Sequence, residues 1–286
     1  MIEIKQLSNT SIEAIYHSFN RAFEDYVEPV QMTLSQFQHM IERRGYNAEI
    51  SFGAFDGGEL VGFTLNGQGS WQGIETAYDT GTGIIKRYRK QGLATRILEE
   101  SLELLRKKGI RQYLLEVIKT NTKALDLYRK AGFNVTREFD YFVESYTELD
   151  LPDPVLPISY EYRENIRIDW DRFRQFWAFE PSWQNSIESI NRKPDAFKTI
   201  GIQFNKQIIG YGIIEPESGD IPQLCIQPEY RKRKLASALF AKLTTHSKSD
   251  KIKMINTQSS YLPQQDFMSS LGFSTGIGQL EMVRKL

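Results

Sequence analysis

Apolar residues along the chain follow two rhythms, and the same succession of rhythms occurs twice. In the first half, Met1–Leu7 alternates as a strand does. SIEAIYHSFNRAF (11–23) and LSQFQHMIERRG (34–45) carry the helical period, the second closed by Gly45. ISFGAFDGGELVGFTL (50–65) is two alternating runs around Asp56-Gly57-Gly58, the pattern of a hairpin. ETAYDTGTGII (75–85) reads as a further strand. The helix LATRILEESLELLRKKG (93–109) follows, with Ile97, Leu98, Leu102 and Leu105 on one face and Gly109 beyond its end. YLLEVI (113–118) is a short apolar strand, and NTKALDLYRKAGF (121–133) a short helix with Asn121 as N-cap and Gly132 as stop.

The second half repeats this ending. FNKQIIGYGII (204–214) is a hairpin around Asn205-Lys206, QLCI (223–226) a strand, LASALFAKL (235–243) a helix and KIKMINT (251–257) a strand, before a short helix reaches Leu271-Gly272-Phe273. Setting Tyr88-Arg89 on Tyr230-Arg231 gives an offset of 142; setting Gly132-Phe133 on Gly272-Phe273 gives 140. A shared order of elements at a nearly constant offset is a duplicated domain. Between the copies, LDLPDPVLPIS (149–159) carries Pro152, Pro154 and Pro157, which suit neither helix nor central strand, so this segment reads as a linker. The expected domains are 1–148 and 160–286.

Composition narrows the classes. With 40% hydrophobic and 25% charged residues the chain is globular, and 36 basic against 36 acidic side chains give no reason to expect nucleic acid as a partner. The run Arg231-Lys232-Arg233-Lys234 lacks interleaved aromatics and reads as a solvated loop. One cysteine, Cys225, forbids an internal disulfide and suits a reducing compartment, so a cytoplasmic setting is expected. Three scattered histidines leave no zinc-ligand spacing, and no metal is expected. No apolar run is long enough to span a membrane, and MIEIKQLS is no signal peptide, so no membrane partner is expected. Oligomeric state is left open.

The chemistry-bearing stretch is YRKQGLATRIL (88–98), answered in the second copy by YRKRKLASALF (230–240). A strand runs into a turn and a helix starts. The first N–H groups of a helix have no partners inside it and, with the helix dipole, form an anion site. Gly92 lets an anion approach the backbone closely, and Arg89 and Lys90 add positive charge. Lys234 replaces that glycine in the second copy.

The pattern Ile84-x-Lys86-x-Tyr88-Arg89-x-x-Gly92-x-Ala94, followed by Asn121-x-x-Ala124-x-x-Leu127-Tyr128-x-x-Ala131-Gly132-Phe133, resembles the Gcn5-related N-acetyltransferase (GNAT) superfamily. That family's cofactor motif is Gln/Arg-x-x-Gly-x-Gly/Ala. The resemblance covers 1–147 in element order and departs from the pattern at Lys86, where a proline is common. It implies an α/β fold with a mixed sheet in two tandem GNAT-like domains, acetyl-CoA as acyl donor, and an amine of a small molecule or peptide as acceptor. It implies that the backbone from Gln91 through Gly92, Leu93 and Ala94 to Thr95 holds the pyrophosphate, with Arg89, Lys90 and Lys86 nearby. Backbone groups of Ile84 and Ile85 would pair with the pantetheine arm and acetyl carbonyl, and Asn121 would contact the arm. Tyr128 matches the usual general acid for the leaving thiolate. For the base, Glu116, Asp79 or an ordered water relay stand open.

In the second copy Met268 stands at the position of Tyr128 and Tyr261 at that of Asn121, and a thioether has no proton to donate. With Lys234 these departures mark a degenerate domain that is not expected to bind acetyl-CoA productively. In IDWDRFRQFWAFEPSWQNS (168–186), Trp170, Phe173 and Trp177 recur at helical spacing and read as a packed helix face; Trp183, Gln184 and Asn185 are the alternative, a substrate wall. Segments 20–45 and 65–80 are expected to carry acceptor selectivity. The competing class of function is a non-catalytic acyl-CoA sensor or interaction module.

Overall fold

The computed structural model describes residues 1–25 and 31–286. Residues 26–30, part of the expected selectivity segment 20–45, lie outside the described residues. In chain order the first elements are β1 (Glu3–Gln6), α1 (Ile12–Phe23), α2 (Leu34–Arg43), β2 (Phe52–Asp56), β3 (Glu59–Trp71), β4 (Ile74–Ile84), α3 (Leu93–Lys107), β5 (Gln112–Ile118), α4 (Thr122–Lys130) and β6 (Asn134–Ser145). There follow β7 (Glu161–Glu164), α5 (Trp170–Phe173), α6 (Ile187–Arg192), β8 (Lys198–Phe204), β9 (Gln207–Glu215), β10 (Asp220–Ile226), α7 (Leu235–Thr244), β11 (Lys251–Gln258), α8 (Leu262–Ser270) and β12 (Gln279–Lys285). Every helix and hairpin expected from both repeats is present. The hairpin turns form as their residues dictate: Gly57 and Gly58 (φ 56° and 89°), and Asn205 and Lys206 (φ 47° and 63°), all take left-handed conformations.

The mixed α/β architecture agrees with the expected class, but the compact units divide differently from the sequence boundaries. The first comprises Met1–Val117, Asn121–Thr136 and the last six residues, Glu281–Leu286; the second comprises Ile118–Thr120 and Arg137–Leu280. The strand order in the first is β1-β2-β3-β4-β5-β12. Its sheet is thus closed by a strand from the far end of the chain. Leu286 N–H donates to Arg111 O at 3.0 Å, Thr136 Oγ1 donates to Glu281 Oε1 at 2.7 Å, Arg284 donates to Ala131 O, and Met282 is fully buried. The order in the second is β6-β11-β10-β9-β8-β7. Nor is 149–159 a loose linker. Leu149, Leu151 and Leu156 pack against the second unit's core, and Asp150 N–H donates to Leu271 O at 3.0 Å.

The expected helix over 168–186 is broken. α5 makes one turn, a 3-10 turn follows over Arg174–Phe176, and Trp177 is extended (ψ 141°). The buried pair is Phe173 and Phe176, stacked beside Tyr211, while the Trp177 indole N–H donates to Tyr211 Oη at 2.7 Å. Segment 65–80 is the far end of the β3–β4 hairpin, which turns at Gln72-Gly73.

A chain ending at Leu280 therefore loses part of its N-terminal unit. Removing buried Met282 alone costs at least ~2 kcal/mol, and β5 loses its neighbour as well. The expected outcome is a lower denaturant midpoint for the first unit, followed through its buried tyrosines.

Candidate active site

The turn joining β4 to α3 is built on two left-handed residues, Lys90 (φ 64°) and Gly92 (φ 75°, ψ 5°). A Cβ placed on Gly92 would meet nothing within 4 Å, so the chain itself does not need the space; the glycine serves its φ and leaves the seat open to a ligand. The second unit draws the same backbone with lysines, Lys232 (φ 59°) and Lys234 (φ 59°, ψ 9°). A left-handed lysine costs about 1–2 kcal/mol, and the turn keeps its shape. What separates the two seats is a side chain, not a backbone.

Arg89, expected beside the pyrophosphate, is committed to the protein. Its Nε donates to Ile84 O and its Nη2 to Ala22 O, both at 2.9 Å, and Nη1 and Nη2 grip the Asp25 carboxylate at 2.9 and 2.7 Å. Hydrogen bonding from Arg89 holds the Asp25 carboxyl below its ordinary range. Arg231 repeats the grip: Nε to Ile226 O at 3.0 Å and Nη2 to Phe176 O at 2.8 Å. The repeated Tyr-Arg pair is thus a clamp that closes the turn onto the end of its strand. Lys86 sits 3.6 Å from Asp25, and exposed Lys90 is left at the mouth of the turn.

β4 and β5 run parallel from Thr76↔Gln112 to Asp79↔Leu115, where their ladder ends. β4 continues to Ile84, so one edge of it opens beside α3 and α4. Ile85 N–H donates to Val61 O at 3.0 Å and is not available to an acetyl carbonyl. By antiparallel alternation the Ile84 N–H faces away from β3. Of the two backbone positions expected to bind the arm, the structure leaves Ile84 N–H. A cavity of about 280 Å³ fills the opening, lined by Ile84, Arg89, Lys90, Gly92 to Thr95, Asn121 and Tyr128. Asn121 also caps α4, its Oδ1 accepting from Ala124 N–H at 3.2 Å. Ile85, Lys86, Gln91 and Glu116 lie outside that lining.

Tyr128 is buried, edge-on to Phe133, which is edge-on to Tyr113. Its hydroxyl donates to Asp79 Oδ2 at 2.8 Å, and Thr82 Oγ1 donates to the same oxygen at 2.8 Å. Asp79 sits where the β3–β4 register shifts between Leu65 and Asn66, a bulge that Arg44 braces through Thr80 O at 2.8 Å. Its Oδ1 is buried with no hydrogen-bond partner among the described residues. Burial pushes the carboxyl up to about 6, against the pull of the Thr82 and Tyr128 hydroxyls. Glu116, the other acid expected, accepts from fully buried Tyr78 Oη at 3.0 Å. Sequence reading missed the Asp79–Tyr128 pair because 49 residues separate its members.

In the second unit a cavity of about 550 Å³ occupies the equivalent place, lined by Lys234, Met254, Trp177, Asn185 and Tyr261 among others. Trp183 is instead core, 1% exposed. Met268 is fully buried, and at offset 142 the position of Asp79 falls on Ile221, also fully buried. Burial pushes the Cys225 thiol up to about 12, so it is no nucleophile at neutral pH.

The raised carboxyl makes Asp79 a source of instability at neutral pH. Between its unfolded value near 3.8 and about 6 the folded chain holds the extra proton, so stability falls as pH rises through that window. The rise corresponds to about 3 kcal/mol. Asp79→Asn is expected to raise Tm at pH 7.5 and to lose that advantage by pH 4, checked by thermal melts across the range.

The acetyltransferase (GNAT) family model matches residues 12–133 and 162–273. N-alpha-acetyltransferase 30 of Schizosaccharomyces pombe is 31% identical over 86 residues, which are 30% of this chain and 57% of that protein, so the chain spans little over half of this relative's length. A tandem GNAT protein from the clavulanic acid biosynthesis pathway superposes with a TM-score of 0.73 at 12% identity, over 100% of this chain and 98% of its own. A GCN5-related N-acetyltransferase from Sphaerobacter thermophilus gives 0.73 at 13% identity, over 99% and 95%. These two structures share the fold of this chain. The matched stretches fall on the two sequence repeats, and the chain belongs to the acetyltransferase (GNAT) family.

Proposed function

We propose that the first unit transfers the acetyl group of acetyl-CoA to an amine, with Tyr128 as the proton donor to the leaving thiolate. The carrying observation is that one cavity reaches both the α3 turn at Gly92–Thr95 and Tyr128. The turn fits a pyrophosphate. Its left-handed residues aim the first N–H groups of α3 outward, Lys90 adds charge, and the space beside Gly92 is empty of protein atoms. The Ile84 N–H, on the open edge of β4, is placed to receive the acetyl oxygen as charge builds on it. Likeness to an N-alpha-acetyltransferase supports a peptide amine among the acceptors, beside small-molecule amines. Glu116, outside the cavity lining and engaged by Tyr78, is less well placed as base than the acid beside Tyr128. The second unit, with Met268 for the tyrosine, is assigned a structural or substrate-shaping role.

Thiol release from acetyl-CoA across a panel of peptide and small-molecule amines tests this reading. Tyr128→Phe is expected to keep acetyl-CoA affinity and to lose about 10²-fold or more in turnover. Tight acetyl-CoA binding with no amine acetylated would make the chain a sensor instead. Gly92→Lys, which copies the second unit, is expected to fold, since its Cβ meets no protein atom, and to abolish acetyl-CoA binding in calorimetry. Unchanged affinity would show that Lys234 does not disable the second seat.

A further inference from the structure

We propose that Asp79 and Tyr128 form one proton-transfer unit, in which Tyr128 is both base and acid because Asp79 stores the proton behind it. The inference rests on the acetyl-transfer reading above. Three observations lead to it. Tyr128 lines the cavity and Asp79 does not, so only the tyrosine oxygen is in reach of reacting atoms. The Tyr128 hydroxyl donates to Asp79 Oδ2 at 2.8 Å, inside a buried pair. If Tyr128 gave its proton to a thiolate unaided, a phenolate would face a carboxylate at hydrogen-bonding distance and away from water, which like-charge repulsion opposes.

A stored proton removes that conflict and also supplies the base that the cavity lining lacks. The amine nitrogen forms the new N–C bond and passes its proton to Tyr128 Oη, while the proton already on Oη moves to Asp79 Oδ2. The C–S bond breaks, and its electron pair stays on sulfur. Oη hands a proton to that sulfur and takes back the one held by Asp79. The amine's proton is thereby balanced by the thiol's, and the pair returns to its starting state. Asp79 acts through Tyr128 and is a positioning residue in this scheme.

The surroundings suit a carboxyl that changes charge during turnover. Tyr78 from β4 and Tyr113 from β5 couple to it electrostatically, with hydroxyls that burial keeps neutral; Arg44, just past the end of α2, supplies positive charge. Thr82 fixes Oδ2 alongside Tyr128. The second unit gives an internal comparison. It has lost the tyrosine, to Met268, and has an apolar residue, Ile221, in place of the carboxylate.

Asp79→Asn keeps the shape and an acceptor for Tyr128 but cannot take the proton. With acetyl-CoA and the fastest amine of the panel, it is expected to leave acetyl-CoA affinity within twofold and lower kcat by about 10²-fold. The wild-type kcat profile is expected to show an acid limb near pH 6, and Asp79→Asn to erase it. Carboxyl ¹³C NMR on the protein without acetyl-CoA is expected to find that titration at Asp79. Thr82→Val, which removes a donor to Oδ2, is expected to move the NMR titration and the acid limb upward together. An acid limb that persists in Asp79→Asn, or that stays put in Thr82→Val while Asp79 moves, overturns the pairing. Full turnover by Tyr128→Phe overturns the acetyl-transfer reading at this tyrosine, a different result in a different variant.

Discussion

Everything at the site hangs from the grip of one guanidinium on three parts of the chain. Arg89 ties the last carbonyl of β4 to the end of α1 through Ala22 O and to the Asp25 carboxylate. That grip holds closed a turn with two left-handed residues, one of them a lysine. A strained turn of this kind persists only where its surroundings over-determine it. With the turn fixed, α3 starts where its unpaired N–H groups face the open edge of β4, and α4 returns along the same edge with Tyr128. The arginine that looks like a phosphate ligand thus holds in shape the turn to which phosphate binding is assigned.

The opening itself comes from a limit on pairing. β4 is bonded along β3 from Ile74 to Ile84, but to β5 only as far as Asp79. A bulge in β3–β4 falls at that same residue. Where the ladder stops, backbone groups are left without partners, and a buried segment must satisfy them by other means. Arg89 takes the Ile84 carbonyl and leaves its N–H. Asp79 stands at the last paired position, so it is buried like a sheet residue yet lies next to the cleft. Its raised affinity for a proton follows from that placement.

Sequence reading recovers what local patterning specifies. The helices, the hairpins and the duplicated order were legible because period, turn residues and caps all sit within a few residues of one another. The turn at 88–95 and Tyr128 were legible because their spacing resembles a known family. What was not legible depends on contacts far apart in the chain. Nothing near Glu281–Leu286 reveals that this strand completes a sheet begun at Glu3. Arg89 and Lys90 look alike as cations, and only the fold separates a clamp from an exposed charge. The break in 168–186 was hidden for a related reason: Phe173 and Phe176 meet Tyr211, 38 and 35 residues on, and that contact overrides the helical spacing of Trp170 and Trp177.

The two copies separate fold from chemistry. Features held in both are requirements of the architecture: the arginine clamp and the left-handed pair in the turn. Features found only in the first are Gly92, Thr82, Asp79 and Tyr128, and to these the proposed acetyl transfer is assigned. The contrast at position 92 is then the least decisive of the four. Lys234 reproduces the backbone of Gly92 within a few degrees of ψ and alters only what projects from it. Replacing a buried carboxylate and a buried phenol by Ile221 and Met268 is a deeper change. It removes the paired acid and phenol and leaves apolar side chains at both positions, where the first unit retains a costly buried acid.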